Sequence, residues 1–290
     1  MTPGIHNIPM AEYLADPCPE PSLSSSCLHT LLSQSPRHAW WSHPRLGGHS
    51  GDHAKKADMG TVAHDLLLGG EGTIVVLDPE DYAGKTGAAP KGWTNDKIRG
   101  ARDAIRAAGK TPILKDDAEE AKLMAAAARA FIAQSELVGV FDEGQAELTL
   151  IAQEGPLWLR ARPDWLNPVQ RVMLHYKTTL ASVEPSRFIR GVMQGMGYGT
   201  AVAFYAHVLD LVLPGESHAW QHVILAQEQA APYACSLIAL DPTKMAVEAE
   251  NVARGIGVWE QCMRTGYWPA YPGQIHYAAP SAWELSSIGG

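Results

Sequence analysis

The sequence has 290 residues, 46% hydrophobic and 19% charged, an ordinary composition for a water-soluble globular chain with ample material for a core. A net charge of −8 excludes a broadly basic nucleic-acid binder and leaves room only for a local basic patch beside clustered carboxylates. Cys18, Cys27, Cys235 and Cys262 show no CxxC spacing, which argues against a zinc site or an iron–sulfur cluster and fits reduced cytoplasmic thiols. The length allows one large domain or two small ones. No signal peptide is recognisable, and no apolar run reaches the roughly 18 residues of a membrane span.

Residues 1 to 50 are rich in Pro, Ser and His. Pro21 to Ser26 supplies an N-cap region for a helix over Cys27 to Ser33, ended by Pro36, with Trp40 and Trp41 as an aromatic tail for the core. Residues 46 to 60 (LGGHSGDHAKKADMG) read as a polar, glycine-rich loop. Gly60 to Leu68 (GTVAHDLLL) then reads as a helix carrying His64, with Val62, Leu66 and Leu67 as its apolar positions. Residues 72 to 100 hold one short strand, IVVL, among turns. Asp116 to Gln134 is alanine-rich with acids in its first turn and is expected to be a strong helix with a solvated basic face.

Phe141 to Ala152 (FDEGQAELTLIA) reads as a strand with Glu147 beside the apolar Leu148 and Leu150. Leu159 to Thr179 (LRARPDWLNPVQRVMLHYKTT) contains two apolar-alternating segments joined by a turn at Asn167-Pro168. Such a hairpin sets Asp164 and Lys177 on neighbouring strands. An acid and an ammonium placed there suit metal-assisted phosphodiester hydrolysis: the carboxylate holds a divalent cation, and the lysine steadies an attacking hydroxide or the charge developing on phosphate. Glu184 to His207 shows helical spacing through Phe188, Val192, Met196, Val202, Phe204 and Tyr205. Ala219 to Leu225 and Ala234 to Ala239 read as strands, and Asp241 to Cys262 as an amphipathic helix capped by Asp241 with Pro242 at its first position. Aromatic residues over Gly266 to Pro272 and at Trp283 suit core packing, or stacking on bases.

The Leu159 to Thr179 stretch resembles the core of a PD-(D/E)XK nuclease, with Pro163-Asp164 as its first half and His175-Tyr176-Lys177 at the D/E-x-K position. Thr178-Thr179 narrows the resemblance to the exodeoxyribonuclease VIII (RecE-type) branch, similar to phage recombination exonucleases. GTVAHDLLL resembles that family's G-T-x-x-H-x-x-L-L element, SLSSSCLHTLLSQSPRHAWW its N-terminal signature, and LAQEQAAPYACSLIALD its late strands. The resemblance runs from about residue 22 to Trp283 and departs from the pattern at two positions. His175 stands where the family has an acidic metal ligand. Ala201 stands where G-Y-x-x-Q-A-A-x-Y has its glutamine, although a Gln194…Tyr198 pair lies one turn earlier.

The resemblance implies one α/β domain over residues 1–290, with a restriction-endonuclease-like core, a mixed central sheet flanked by helices, and peripheral segments at 1–20 and 284–290. It implies a metal-dependent DNA exonuclease acting on linear duplex from its ends, 5′ to 3′, in phage-type recombination in the cytoplasm of a bacterial host. Mg²⁺ or Mn²⁺ would be held by His64, Asp164, His175 and the Tyr176 carbonyl. Lys177 would position the nucleophile, with Glu147 on the first core strand near the metals. Gln194, Tyr198, Tyr205, Arg162, Arg187 and Arg190 would contact DNA. A closed homo-oligomeric ring and a single-strand annealing partner are further implications; a membrane role is not. His175, with a reference pKa of about 6.5, would be the weak point of the metal site and would lose metal below neutral pH. The alternative is a catalytically impaired homologue that binds DNA ends or a recombination partner.

Overall fold

The computed structural model describes residues 1–49, 59–69, 74–84, 87–215, 219–275 and 277–280. Most of the 46–60 loop, together with Trp283 and the 284–290 tail, lies outside the described residues. In chain order the strands are β1 (Gly4–His6), β2 (Leu23–Ser24), β3 (Ile74–Leu77), β4 (Thr111–Leu114), β5 (Gln145–Ala146) and β6 (Thr149–Glu154). They continue with β7 (Leu157–Ala161), β8 (Trp165–Asn167), β9 (Val172–Thr179), β10 (Gln221–Glu228) and β11 (Cys235–Ala239). The helices are α1 (Met10–Leu14), α2 (Ser25–Ser33), α3 (Pro36–Ser42), α4 (Met59–Leu68) and α5 (Asp96–Ala107). After them come α6 (Lys115–Ile132), α7 (Pro185–Arg187, widening into a π-type turn over Phe188–Met193), α8 (Tyr198–Val212) and α9 (Pro242–Thr265).

The central sheet has the order β11-β10-β9-β8-β5, with β9 and β10 parallel and the other pairs antiparallel. β9 and β10 are near-continuous apolar runs because both faces of this sheet are covered. The period-two alternation of β9 divides its side chains. Leu174 and Tyr176 pack toward α4 and α6, among Val62, Leu67, Ala121 and Met124. Met173, on the other face, joins Phe204, Val208 and Trp259 from α8 and α9. This is a restriction-endonuclease-like core, a mixed sheet flanked by helices. A second sheet, β1-β6-β7-β2, and the parallel pair β3-β4 complete the strands among the described residues.

α6 buries Ala118, Ala121, Met124, Ala125, Ala128 and Ile132, and these small side chains let α4 pack close through Val62, Ala63 and Leu67. Arg129 of α6 donates to the Leu66 and Leu67 carbonyls, capping the C-terminal end of α4 and fixing the helix that carries His64. α2 starts where the serine run predicts, with the Ser24 hydroxyl accepting from the Cys27 N–H. Pro36 also opens α3, capped by Ser35.

Four expectations are corrected. The strand read over Phe141 to Ala152 breaks into β5 and β6, which lie in different sheets, with Glu147 at the break in a left-handed conformation (φ +54°). The helix read over Glu184 to His207 breaks at Gly197 (φ +66°), where a Cβ would run into the His29 ring. Gln194 and Tyr198 therefore do not share one helical face. Residues 72–100 do hold IVVL as a strand, β3, but they also open a helix, α5; β4, which pairs with β3, follows at Thr111–Leu114. Residues 1–20 are not peripheral. β1 pairs with β6 from Gly4↔Ile151 to His6↔Thr149, and the buried Asp16 accepts from the Ser22 N–H and hydroxyl and pairs with Arg160. Among the described residues no helix is long and apolar enough to cross a membrane.

Candidate active site

Three elements converge on one cleft. The first is the β8–β9 hairpin, whose register Trp165↔Leu174 sets Asp164 at the mouth beside the emerging end of β9. Lys177 Nζ lies 2.8 Å from Asp164 Oδ2, and the Tyr176 N–H donates to the same oxygen at 2.8 Å. β8 pairs with β9 only as far as Leu174, so the Tyr176 N–H turns to the carboxylate. In a strand the N–H and C=O of one residue share an edge, which puts the Tyr176 carbonyl on this side as well.

The second element is α4, which brings His64 and Asp65. His64 Nε2 is 3.3 Å from Asp164 Oδ1, and Nδ1 is 3.8 Å from both Asp65 Oδ1 and Glu147 Oε1. The third is the break between β5 and β6. There the Glu147 N–H donates to the Asp164 carbonyl (3.1 Å), and Oε2 accepts from Arg162 Nη2 (2.9 Å). His64, Asp65 and Glu147 each offer a ligand atom within 4.8 Å of the others, a spacing that one divalent cation could bridge. Pro9, Met10 and Ala11 line the cleft on one side, and Tyr198 and Thr178 also face it.

Burial would raise the pKa of Asp164, but the Lys177 ammonium and the His64 contact outweigh it and hold the carboxyl well below the usual range. Burial would lower that of His64, yet hydrogen bonding to Asp164 and Asp65 and the Asp164 charge push it up to about 9. Without metal, His64 is therefore an imidazolium at neutral pH. Three carboxylates, of Asp65, Glu147 and Asp164, then face three cations, of His64, Arg162 and Lys177.

His64, Glu147, Asp164, Tyr176, Lys177 and Tyr198 all line this cleft. Asp65 joins them without having been singled out; it directly follows His64 in GTVAHDLLL, but neighbours on a helix point about 100° apart, which hid it. His175 is the main correction. It does not line the cleft, is 2% exposed, and packs 4.9 Å from the Tyr205 ring and 6.4 Å from the His222 ring. Burial lowers its pKa to about 3, so it does not titrate near neutrality. Its Nε2 has no hydrogen-bond partner among the described residues. Tyr205 belongs to that packing, not to an open DNA-facing surface. Arg162 is 7% exposed, with its donors on Ile8, Thr149 and Glu147, and cannot reach DNA. Gln194, Arg187 and Arg190 are exposed outside the cleft, Arg187 on a shallow groove with Thr179, Val192 and Met196.

A family model described as a PDDEXK-like domain of unknown function (DUF3799) matches residues 98–280. A comparison with curated proteins finds no match. Among solved structures, the chain is similar to a protein of Eubacterium rectale described as "Putative exonuclease", at 11% identity and a TM-score of 0.53, covering 97% of this chain and 99% of that one. At that identity the likeness shows the fold alone. A second structure, of SSO0001, has 9% identity, coverage of 86% and 87%, and a TM-score of 0.32, too low to carry an argument.

Proposed function

The chain belongs to the PDDEXK-like family DUF3799, and we propose that it is a divalent-metal-dependent nuclease acting on DNA. One observation carries this reading: Asp164, Lys177, His64 and Glu147, from three separate elements, meet at one cleft. The donors fit a hard or borderline dication, with carboxylate oxygens from Asp65, Glu147 and Asp164, one imidazole and no sulfur. His64, Glu147 and Asp164 would hold the metal, with Asp65 and the Tyr176 carbonyl as further donors; the imidazole favours Mn²⁺ over Mg²⁺. Bound there, a metal supplies a water of lowered pKa and a counter-charge for phosphate.

The remaining chemistry belongs to side chains already in place. Lys177 keeps its ammonium at the cleft through Asp164, within reach of a water or a phosphate oxygen. Tyr198 offers an aromatic edge to an entering nucleotide, and the exposed Arg187 and Arg190 suit backbone phosphates beyond the cleft.

The finer proposal is an exonuclease that degrades linear duplex 5′ to 3′ in phage-type recombination, as one ring-forming domain working with a single-strand annealing protein. Its support is the resemblance of the GTVAHDLLL, PD…HYK and late-strand segments to RecE-type exonucleases, together with a neighbour in fold described as "Putative exonuclease". End-labelled linear duplex, closed circles and single strands, each incubated with Mn²⁺ and with Mg²⁺, test it. Loss of the 5′ label from linear DNA alone is expected; nicking of circles contradicts the exonuclease. His175 in place of an acid favours a second reading, DNA-end binding without cleavage. Retarded DNA ends with no product at any metal concentration would select that reading.

A further inference from the structure

Arg162 carries an arrangement that a DNA contact would not need. Its Nη1 donates to the Ile8 carbonyl (2.8 Å) and to Thr149 Oγ1 (2.9 Å), while Nη2 donates to Glu147 Oε2 (2.9 Å). The Tyr13 ring of α1 covers it, with the guanidinium carbon 5.8 Å from the ring centre; the Arg160 guanidinium is 5.4 Å from the same ring. Arg160 in turn binds Ser22 and Asp16. Two arginines, alternate residues of one strand end, thus clamp the N-terminal segment whose Pro9, Met10 and Ala11 line the cleft.

Glu147 is held from both ends. Its left-handed backbone is costly for a residue with a Cβ, and the hydrogen bond from its N–H to the Asp164 carbonyl pins it there. With Oε2 on Arg162, the other oxygen, Oε1, is left facing His64 at 3.8 Å.

We propose that Arg162 is a positioning residue of the metal site: it fixes the Glu147 carboxylate so that one oxygen faces the cleft, and the same guanidinium hooks the N-terminal wall of that cleft. The inference rests on the metal-site reading above and adds a residue that never touches metal or substrate. Its sign separates it from plain electrostatics. Arg162 is a cation near a dication, so Coulomb repulsion alone predicts tighter metal binding once it is neutralised. A positioned carboxylate predicts weaker binding, because ligating carboxylates depend on the partners that orient them.

The test is Mn²⁺ titration of the purified full chain by calorimetry. Arg162→Gln should raise the Kd by about 10- to 100-fold, the usual cost of losing an outer partner. Arg162→Lys should also bind more weakly, since an ammonium lacks the fixed fork that spans all the acceptors. In a Glu147→Gln background, Arg162→Gln should change Kd by less than about twofold, because the two act through one contact. A merely structural role would instead give additive losses. Should Arg162→Gln fail to fold, Thr149→Val is the second variant: it takes one acceptor from the guanidinium and must also weaken Mn²⁺ binding. An unchanged or tighter Kd in a folded variant, or additivity with Glu147→Gln, overturns the inference. A parent chain that binds no Mn²⁺ overturns the metal-site reading itself, a distinguishable failure.

Discussion

Metal binding should be strongly coupled to the proton on His64. The imidazole lies 3.3 Å from Asp164 Oδ1, with Asp65 and Glu147 at 3.8 Å on its other nitrogen; burial would lower its pKa, but hydrogen bonding to Asp164 and Asp65 and the Asp164 charge push it up to about 9. A cation can take a ring nitrogen only after the proton leaves. Below that pKa each pH unit should cost about tenfold in apparent affinity, so Kd for Mn²⁺ should fall about 100-fold between about pH 6.5 and about 8.5. Close to one proton should be released per metal bound near neutrality. Calorimetric titration in buffers of differing ionisation enthalpy reads both quantities. His64→Asn should flatten the slope and weaken binding at the upper end. The same proton stabilises the metal-free fold. Because the folded pKa lies above the unfolded value of about 6.5, that contribution, of order 3 kcal/mol, is complete below about pH 6.5 and is lost as pH rises through about 9. A Kd independent of pH over this range, with no proton release, would refute the reasoning.

Three further outcomes concern groups that do not line the cleft. Burial lowers the pKa values of His175 and His222 to about 3 and about 4, so the unfolded chain gains protons first. Stability should therefore be full above about pH 6.5 and fall by roughly 1.4 kcal/mol per pH unit for each histidine as pH drops toward 4, with His222→Leu removing its own share of the slope in urea titrations. Gly197→Ala should cost about 1–3 kcal/mol by the same measurement, since it places a Cβ at φ +66° against His29. Asp16→Ala should cost about 3–5 kcal/mol by leaving Arg160 buried without its carboxylate, and should expose the N-terminal segment to faster amide exchange.

The sequence makes the β8–β9 hairpin legible because two apolar segments flank the Asn167-Pro168 turn, and the register that this turn allows brings Asp164 to Lys177. The α4 helix is legible for the same kind of reason, its apolar spacing leaving His64 off the buried stripe. Glu147 is different. A single left-handed residue carries the chain from one sheet to another while leaving the apolar pattern of FDEGQAELTLIA intact, so periodicity sees one strand. Arg162 is expected to contact DNA until its partners are known, and those partners, Ile8, Thr149 and Glu147, are at least 13 residues away in the chain. His175 shares a strand face with Lys177, but its ring is covered by Tyr205 of α8, a tertiary contact that residue spacing cannot reveal. Asp16 belongs to a Pro-rich opening that carries no periodic signal, and its pairing with Arg160, like that of β1 with β6, is a contact distant in the chain.

The most direct test of the metal-dependent nuclease is release of acid-soluble nucleotides from linear duplex DNA with Mn²⁺, the parent chain run beside Lys177→Ala and Asp164→Ala. The parent should cleave and fall silent with EDTA. Each variant, folded by circular dichroism, should lose at least about 100-fold in rate, the usual scale for removing an electrostatic catalytic group. Equal rates in the parent and both variants would show that cleavage, if any, happens somewhere other than this cleft.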